Sequence, residues 1–115
     1  MGETVVMAQG YALKIGESPD KDAIFDLWAF RELELELEVS NIGPNPEGLW
    51  AMVVLETSMD PKPRGSWKAL GAFTPLPSGA TDQRRFTGFL RYVRWQVMSN
   101  AESGIILFNL RGMAR

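Results

Sequence analysis

From residue 32 to residue 39 the chain alternates without a break: Glu32, Leu33, Glu34, Leu35, Glu36, Leu37, Glu38, Val39. A β-strand points successive side chains to opposite faces, so this run predicts a strand with one apolar face and one row of carboxylates. Shorter strand-like runs occupy most of the remaining chain. "YALKI" (11–15) alternates and ends at a loop rich in Gly, Ser, Pro and Asp. "AIFDLWAF" (23–30) is apolar but mixed in period, which fits a strand or a single helical turn. The glutamate strand (30–40) stops at "NIGPNPEG", where prolines and glycines break a central ladder. "LWAMVVLETS" (49–58) is nearly continuous in apolar residues, the pattern of a strand buried on both faces or lying at an interface. "SWKALGAF" (66–73), "RRFTGFL" (84–90), "LRYVRWQVM" (90–98) and "IILFNLRG" (105–112) complete the series.

No stretch holds a long helical period, and turn signals separate every run. Seven or eight short strands in 115 residues predict an all-β, single-domain antiparallel β-sandwich of jelly-roll type, with residues 1–10 as an extended N-terminal arm. Trp67 and Trp95 fall within periodic strands and are expected in the core. Trp28 and Trp50 flank loops and remain open between an exposed end and an interface.

Charge changes the picture. The net charge of −2 conceals a division: residues 1–60 carry three cations and twelve anions, a sum of −9, and residues 61–115 carry nine cations and two anions, a sum of +7. Opposite charges stabilise each other across a sheet, so acidic N-terminal strands are expected beside basic C-terminal ones. An intermolecular use, with an acidic patch meeting a basic patch on the next subunit, is the alternative. Arg91 and Arg94 have opposite strand parity and cannot share one face without a bulge, and Arg94 or Arg84 is expected to meet the glutamates.

Composition removes most catalytic chemistries. There is neither histidine nor cysteine, which excludes zinc sites built from either residue, Ser-His-Asp and Cys-His nucleophiles, and disulfides. No glycine-rich phosphate loop occurs. Alternate glutamates of the row stand about 6.6 Å apart on one open face, without the unlike environments a carboxylate acid–base pair requires. The chain is therefore not expected to be an enzyme, and no cofactor or metal is expected. Loop carboxylates Glu17, Asp20 and Asp22 are better placed for Ca²⁺ than the flat row. Arg84, Arg85, Arg91, Arg94 and Arg111 interleave with Phe86, Phe89, Tyr92 and Trp95 in the manner of a single-strand stacking platform, but the acidic balance disfavours nucleic acid. The N-terminus lacks the pattern of a signal peptide, and no apolar run approaches the ~20 residues that span a bilayer, so no membrane is expected.

Leu55, Thr57, Ser58 and Asp60, then Trp67, Leu70, Gly71, Phe73 and Thr74, then Arg91, Tyr92, Val93 and Arg94 form three phrases. Together these resemble a set of small phage-encoded β-sandwich proteins, over roughly residues 30–112. The tryptophan–glycine–phenylalanine and "RYVR" phrases are also similar to the discoidin or galactose-binding jelly roll. The resemblance implies structural duties for Trp67, Leu70, Gly71, Phe73, Tyr92 and Val93, with Trp67, Phe73 and Tyr92 locking two sheets together and Gly71 allowing a bulge or close approach. It implies a virion component made in the host cytoplasm, best matched by a capsid decoration (cement) protein that binds the major capsid protein. The −9 and +7 parts of the chain add the expectation of a homotrimer, closed by contacts between unlike patches. The expected contacts are Glu32, Glu34, Glu36, Glu38, Trp50, Arg84, Arg91 and Arg94, with the apolar strand near the subunit boundary. A glycan-binding module of a tail or secreted protein is the second reading, and a single-stranded nucleic-acid binder the third.

Overall fold

The computed structural model describes residues 2–15, 24–62 and 65–115. Among them are eight strands and no helix: β1 (Glu3–Lys14), β2 (Ile24–Asp26), β3 (Glu32–Gly43), β4 (Ala51–Ser58), β5 (Lys68–Ala72), β6 (Thr81–Thr87), β7 (Tyr92–Ser99) and β8 (Ile105–Ala114). They form two four-stranded sheets, ordered β1-β8-β3-β6 and β2-β7-β4-β5, antiparallel throughout. The pairs β1-β8, β2-β7, β3-β6 and β4-β5 are rungs of one long ribbon wound on itself, and β8-β3 and β7-β4 close the sheets. This is a jelly-roll β-sandwich. Residues 3–10, within the expected extended N-terminal arm, form the first part of β1 and pair along β8, because Val5, Met7 and Ala8 have core to cover.

The winding explains the charge division. Each of the six pairings joins one of the first four strands to one of the last four. The acidic and basic parts of the chain are thus interleaved strand by strand inside one molecule. They do not form an acidic side and a basic side.

The core lies between the sheets. Leu33, Leu35, Leu37 and Val39 of β3 face Val53 and Leu55 of β4 and Val93 and Trp95 of β7, all nearly inaccessible to solvent. Burial of each such side chain contributes about 1.5–3 kcal/mol, so the alternation of β3 is the main local reason its register holds. Trp95 of one sheet stands edge-on to Tyr11 and Phe108 of the other, with ring centroids 5.1 Å and 5.2 Å away. Its Nε1 is the one buried side-chain polar atom without a hydrogen bond among the described residues. The two neighbouring rings offer it only the weak N–H···π type of contact.

The expected inter-sheet lock is corrected here. Phe73 is in the core, 5.5 Å from Phe86 of the opposite sheet. Trp67 and Tyr92 are not: Trp67 precedes β5 and is half-buried, and Tyr92 has the outward parity of β7. A bulge opposite Leu55 and Glu56 breaks the alternation that would have carried Trp67 inward. Tyr11–Trp95–Phe108 and Phe73–Phe86 join the sheets instead. Leu70 is half-buried at that bulge, and a Cβ at Gly71 would stand 2.9 Å from the Phe86 ring, so glycine lets the core ring approach the edge strand.

Candidate functional site

The glutamate row lies on the outer face of the β1-β8-β3-β6 sheet. In the β3–β6 register Glu34 opposes Arg85, whereas Leu35 opposes Arg84. Directly opposed residues share a face, so Arg85 joins the glutamates and Arg84 does not. Arg85 reaches Glu32 at 2.8 Å and Glu34 at 3.5 Å, and Arg115, beyond β8, reaches the same two at 3.5 Å and 3.4 Å. Glu38 accepts a hydrogen bond from Asn109 Nδ2 at 2.9 Å, and Asn109 Oδ1 accepts one from the Gly10 N–H at 2.6 Å. Glu36 faces Gln83 and Arg111 across its two neighbours.

The expectation of Arg94 or Arg84 as partners of the row is therefore corrected. Arg94 lies in the other sheet, and Arg84 pairs with Asp82 at 3.0 Å, both having core-side parity at the sandwich edge. Burial pushes the Asp82 carboxyl up. The Thr74 N–H, Arg84 and the Gln83 N–H together outweigh it and hold the carboxyl below its ordinary value. Inward charges on an edge strand discourage pairing with another sheet.

The outer face of the other sheet is different. Arg94 and Glu56 make a half-buried ion pair at 2.9 Å, with side chains 17% and 24% exposed, and the Trp67 ring covers the guanidinium at 4.3 Å. Trp67 is fixed there by its Nε1–H donating to the Lys62 carbonyl. Beyond this pair the face turns apolar: Val54 sits between Gln96 and Ala72, and Met52 opposes Met98, which is 52% exposed. No described element packs over these side chains. β4 is thus not buried on both faces.

A similar change runs along the glutamate sheet. Past Glu38 its outer face passes to Asn41, Ala12, Leu107 and Ile105, the last 53% exposed. With Gly43, Pro44 and Gly104 these line a shallow apolar depression of about 450 Å³. The apolar parts of both faces lie toward the same end, that of the β3–β4 and β7–β8 loops. Trp50 sits in that end, half-buried, its N–H donating to Asn100 Oδ1 and its carbonyl accepting from Ser99 Oγ. We call this the loop-44 end.

The opposite end gathers the β2–β3, β4–β5 and β6–β7 loops. Leu27 N–H donates to the Arg91 carbonyl, and Leu90 N–H donates to Thr57 Oγ1, which fixes two of the loops to the sheet. Asp26 receives Arg91 at 3.0 Å through Nη2 and at 3.3 Å through Nε, and its Oδ1 also accepts the Trp28 N–H. The hydrogen bond from Arg91 holds the Asp26 carboxyl below its ordinary range, and Asp26 raises Arg91 in turn. The Arg91 guanidinium lies over both the Trp28 and Tyr92 rings, 5.3 Å and 5.1 Å from their centroids. Trp28 remains 68% exposed. This is the Trp28 end.

Of the residues expected to make contacts, Glu32 and Glu34 are already paired within the chain, Arg91 belongs to the Trp28 end, Arg94 to the sheet face and Trp50 to the loop-44 end. They do not form one patch. The proposed stacking platform is dismantled, because Phe86 and Trp95 point into the core. Glu17, Asp20 and Asp22 lie outside the described residues, and among the described residues no acidic cluster suits a metal ion. Sequence reasoning missed Asp26 and Arg115, and named Arg85 only as a cation of the stacking platform and not as the partner of the glutamates. Asp26 beside Trp28, in a run of mixed period, was the only local hint of that constellation. A scan against protein-family models found no match, and searches of curated proteins and of solved structures found none either.

Proposed function

We propose that this chain is a non-enzymatic structural protein of a virion, a capsid decoration protein that binds on or between coat-protein subunits and stabilises the shell. The observation that carries the reading is the loop-44 end, where Met98 on one face and Ile105 on the other are more than half exposed, beside half-buried Met52 and Val54 and half-buried Leu107. The run 49–58 allowed either a doubly buried strand or an interface strand; the outward positions of β4 are half-buried, which supports the second of these. The three-phrase resemblance to phage β-sandwich proteins supplies the partner, the major capsid protein, and the virion as the place of work.

A homotrimer fits the same end. A closed ring needs two unlike patches that meet head to tail, and the two apolar patches on opposite faces are such a pair. The −9 and +7 parts of the chain no longer serve, since their charges interleave within the subunit. The apolar side chains then supply most of the affinity, at about 1.5–3 kcal/mol for each one fully buried. Purified protein mixed with shells of a phage major capsid protein is expected to co-sediment to saturation and to raise the temperature of shell disruption. Protein that stays wholly in the supernatant at micromolar concentration contradicts the reading. Sedimentation of the isolated chain, with and without shells, separates a discrete trimer from a monomer or an open stack.

A further inference from the structure

We propose that the Trp28 end is a saccharide-binding site for a pyranose ring that carries a carboxylate. It lies at the far end from the proposed assembly patches, so one module can be bound to a shell and present this site outward. A depression of about 510 Å³ is lined there by Trp28, Ala29, Phe30, Arg31, Gly88 and Phe89.

Three observations select the ligand class. First, Trp28 is the most exposed large apolar side chain described, yet it is not loose. Its backbone N–H is bonded to Asp26, and Arg91 backs its ring. A flat indole held in place with most of its surface in water is a stacking platform. The C–H face of a sugar ring suits it, because ring hydrogens carry partial positive charge and the indole face is negative. The Arg91 cation on the same ring strengthens the hold on the platform.

Second, the local charges are unequal. Asp26 and Arg91 neutralise each other, whereas Arg31 makes no ion pair among the described residues. Its backbone N–H donates to the Arg115 carbonyl, which anchors the residue at the rim while the guanidinium fork keeps its donors for a ligand. An arginine fork matches a carboxylate in two parallel hydrogen bonds. An acidic sugar satisfies platform and fork together, and a neutral sugar satisfies only the first.

Third, the site is a depression whose aromatic platform is backed by a closed Asp–Arg pair. Insertion into a lipid surface would carry Asp26 toward hydrocarbon, which favours the saccharide over a membrane.

The test is a two-dimensional amide NMR titration of the full chain with sialyllactose, with a glucuronate-containing disaccharide as a second acidic ligand and lactose as the neutral control. Saturable shifts are expected at the Trp28 indole N–H and at the amides of Arg31, Gly88 and Phe89, with lactose weaker by about tenfold, the worth of one charge-assisted contact. The two acidic ligands place the carboxylate on different ring positions, and saturation by either one supports the proposal. Trp28→Ala should abolish the shifts, Trp28→Phe should retain them at reduced affinity, and Arg31→Gln should bring acidic and neutral ligands to parity, each variant keeping the wild-type spectrum elsewhere. No saturable shift with either acidic sugar, shifts that survive Trp28→Ala, or lactose binding as tightly as sialyllactose each overturn the proposal. Trp28-dependent binding to phosphatidylserine vesicles without any saccharide shift overturns it in favour of a lipid surface. Shell binding by Trp28→Ala is expected to match wild type, so failure here leaves the decoration reading standing.

Discussion

The two ends of the sandwich are built from the same six strand pairings, and both expose apolar side chains, Trp28, Met59, Leu90 and Met113 at one and Met98 and Ile105 at the other. They differ in their ion pairs. At the Trp28 end Asp26 is paired with Arg91, and Glu32 and Glu34 with Arg85 and Arg115, while Arg31 makes no ion pair among the described residues. At the loop-44 end the outward positions of the same strands carry half-buried Met52, Val54 and Leu107 and exposed Met98 and Ile105, with Lys14 opposite Ile105. Paired charges at the Trp28 end favour one strand register, because a slip would place them opposite the wrong partners. The difference teaches that the two ends suit different partners: half-exposed apolar side chains suit a coat-protein surface, and a fixed indole beside an unpaired arginine suits a small polar ligand.

The comparison can be broken most forcefully at the loop-44 end. Met98→Asp combined with Val54→Asp should weaken shell binding by two orders of magnitude or more, as expected when central interface side chains worth about 2 kcal/mol each are lost. The isolated chain should change in unfolding free energy by no more than roughly 0.5 kcal/mol at the exposed Met98 position. If shell binding survives, the affinity lies elsewhere.

A smaller effect is expected at the boundary between the two surfaces. Glu56→Gln leaves the half-buried Arg94 guanidinium with a weaker acceptor and should cost about 1–2 kcal/mol in chemical denaturation, below the 3–5 kcal/mol of a fully buried pair. A loss under 0.5 kcal/mol would mean that water already screens this pair as it does a surface one.

The acid limb of stability follows from two carboxylates, Asp26 at the Trp28 end and Asp82 at the start of β6. Asp26 and Asp82 are both held below their ordinary values in the folded chain. Their contribution is therefore fully present above the unfolded carboxylate value of about 3.9 and is lost as pH falls through the lower folded values. Thermal melts should be flat in this respect near neutrality and should drop below about pH 4. Asp26→Asn should shallow that drop. An unchanged acid limb would show that the Arg91 bond is not maintained in solution.

The smallest effect belongs to the feature most conspicuous in the sequence. Glu32→Gln or Arg85→Gln should each change stability by about 0–1 kcal/mol, and molar salt should erase the difference. A larger, salt-resistant loss would give the row a structural weight that exposed ion pairs do not have.

Much of the fold was legible. The alternation at residues 32–39 and the closing run at 105–112 show up as β3 and β8, neighbours in one sheet, and the jelly-roll class followed from strand count and turn spacing. The division of charge also read correctly as pairing between the two halves of the chain. What could not be read was which arginine meets which carboxylate. Arg84 and Arg85 differ by one residue, and the β3–β6 register alone decides which of them faces outward. Trp67 misled for a related reason, because the bulge beside Leu70 is set by pairing with β4 and leaves no mark in the hydrophobic period. The Trp28 constellation joins Asp26 and Arg91, 65 positions apart, through the β2–β7 pairing, and no local pattern announces such a contact.

Hydroxyl-radical footprinting of the chain, free and bound to coat-protein shells, compares the two ends in one experiment. Met52, Met98 and Ile105 should be strongly protected on the shell while Trp28 oxidises as readily as in the free protein. Protection of Trp28 with Met98 and Ile105 unchanged would contradict the account, placing the contact at the Trp28 end and leaving the loop-44 end unexplained.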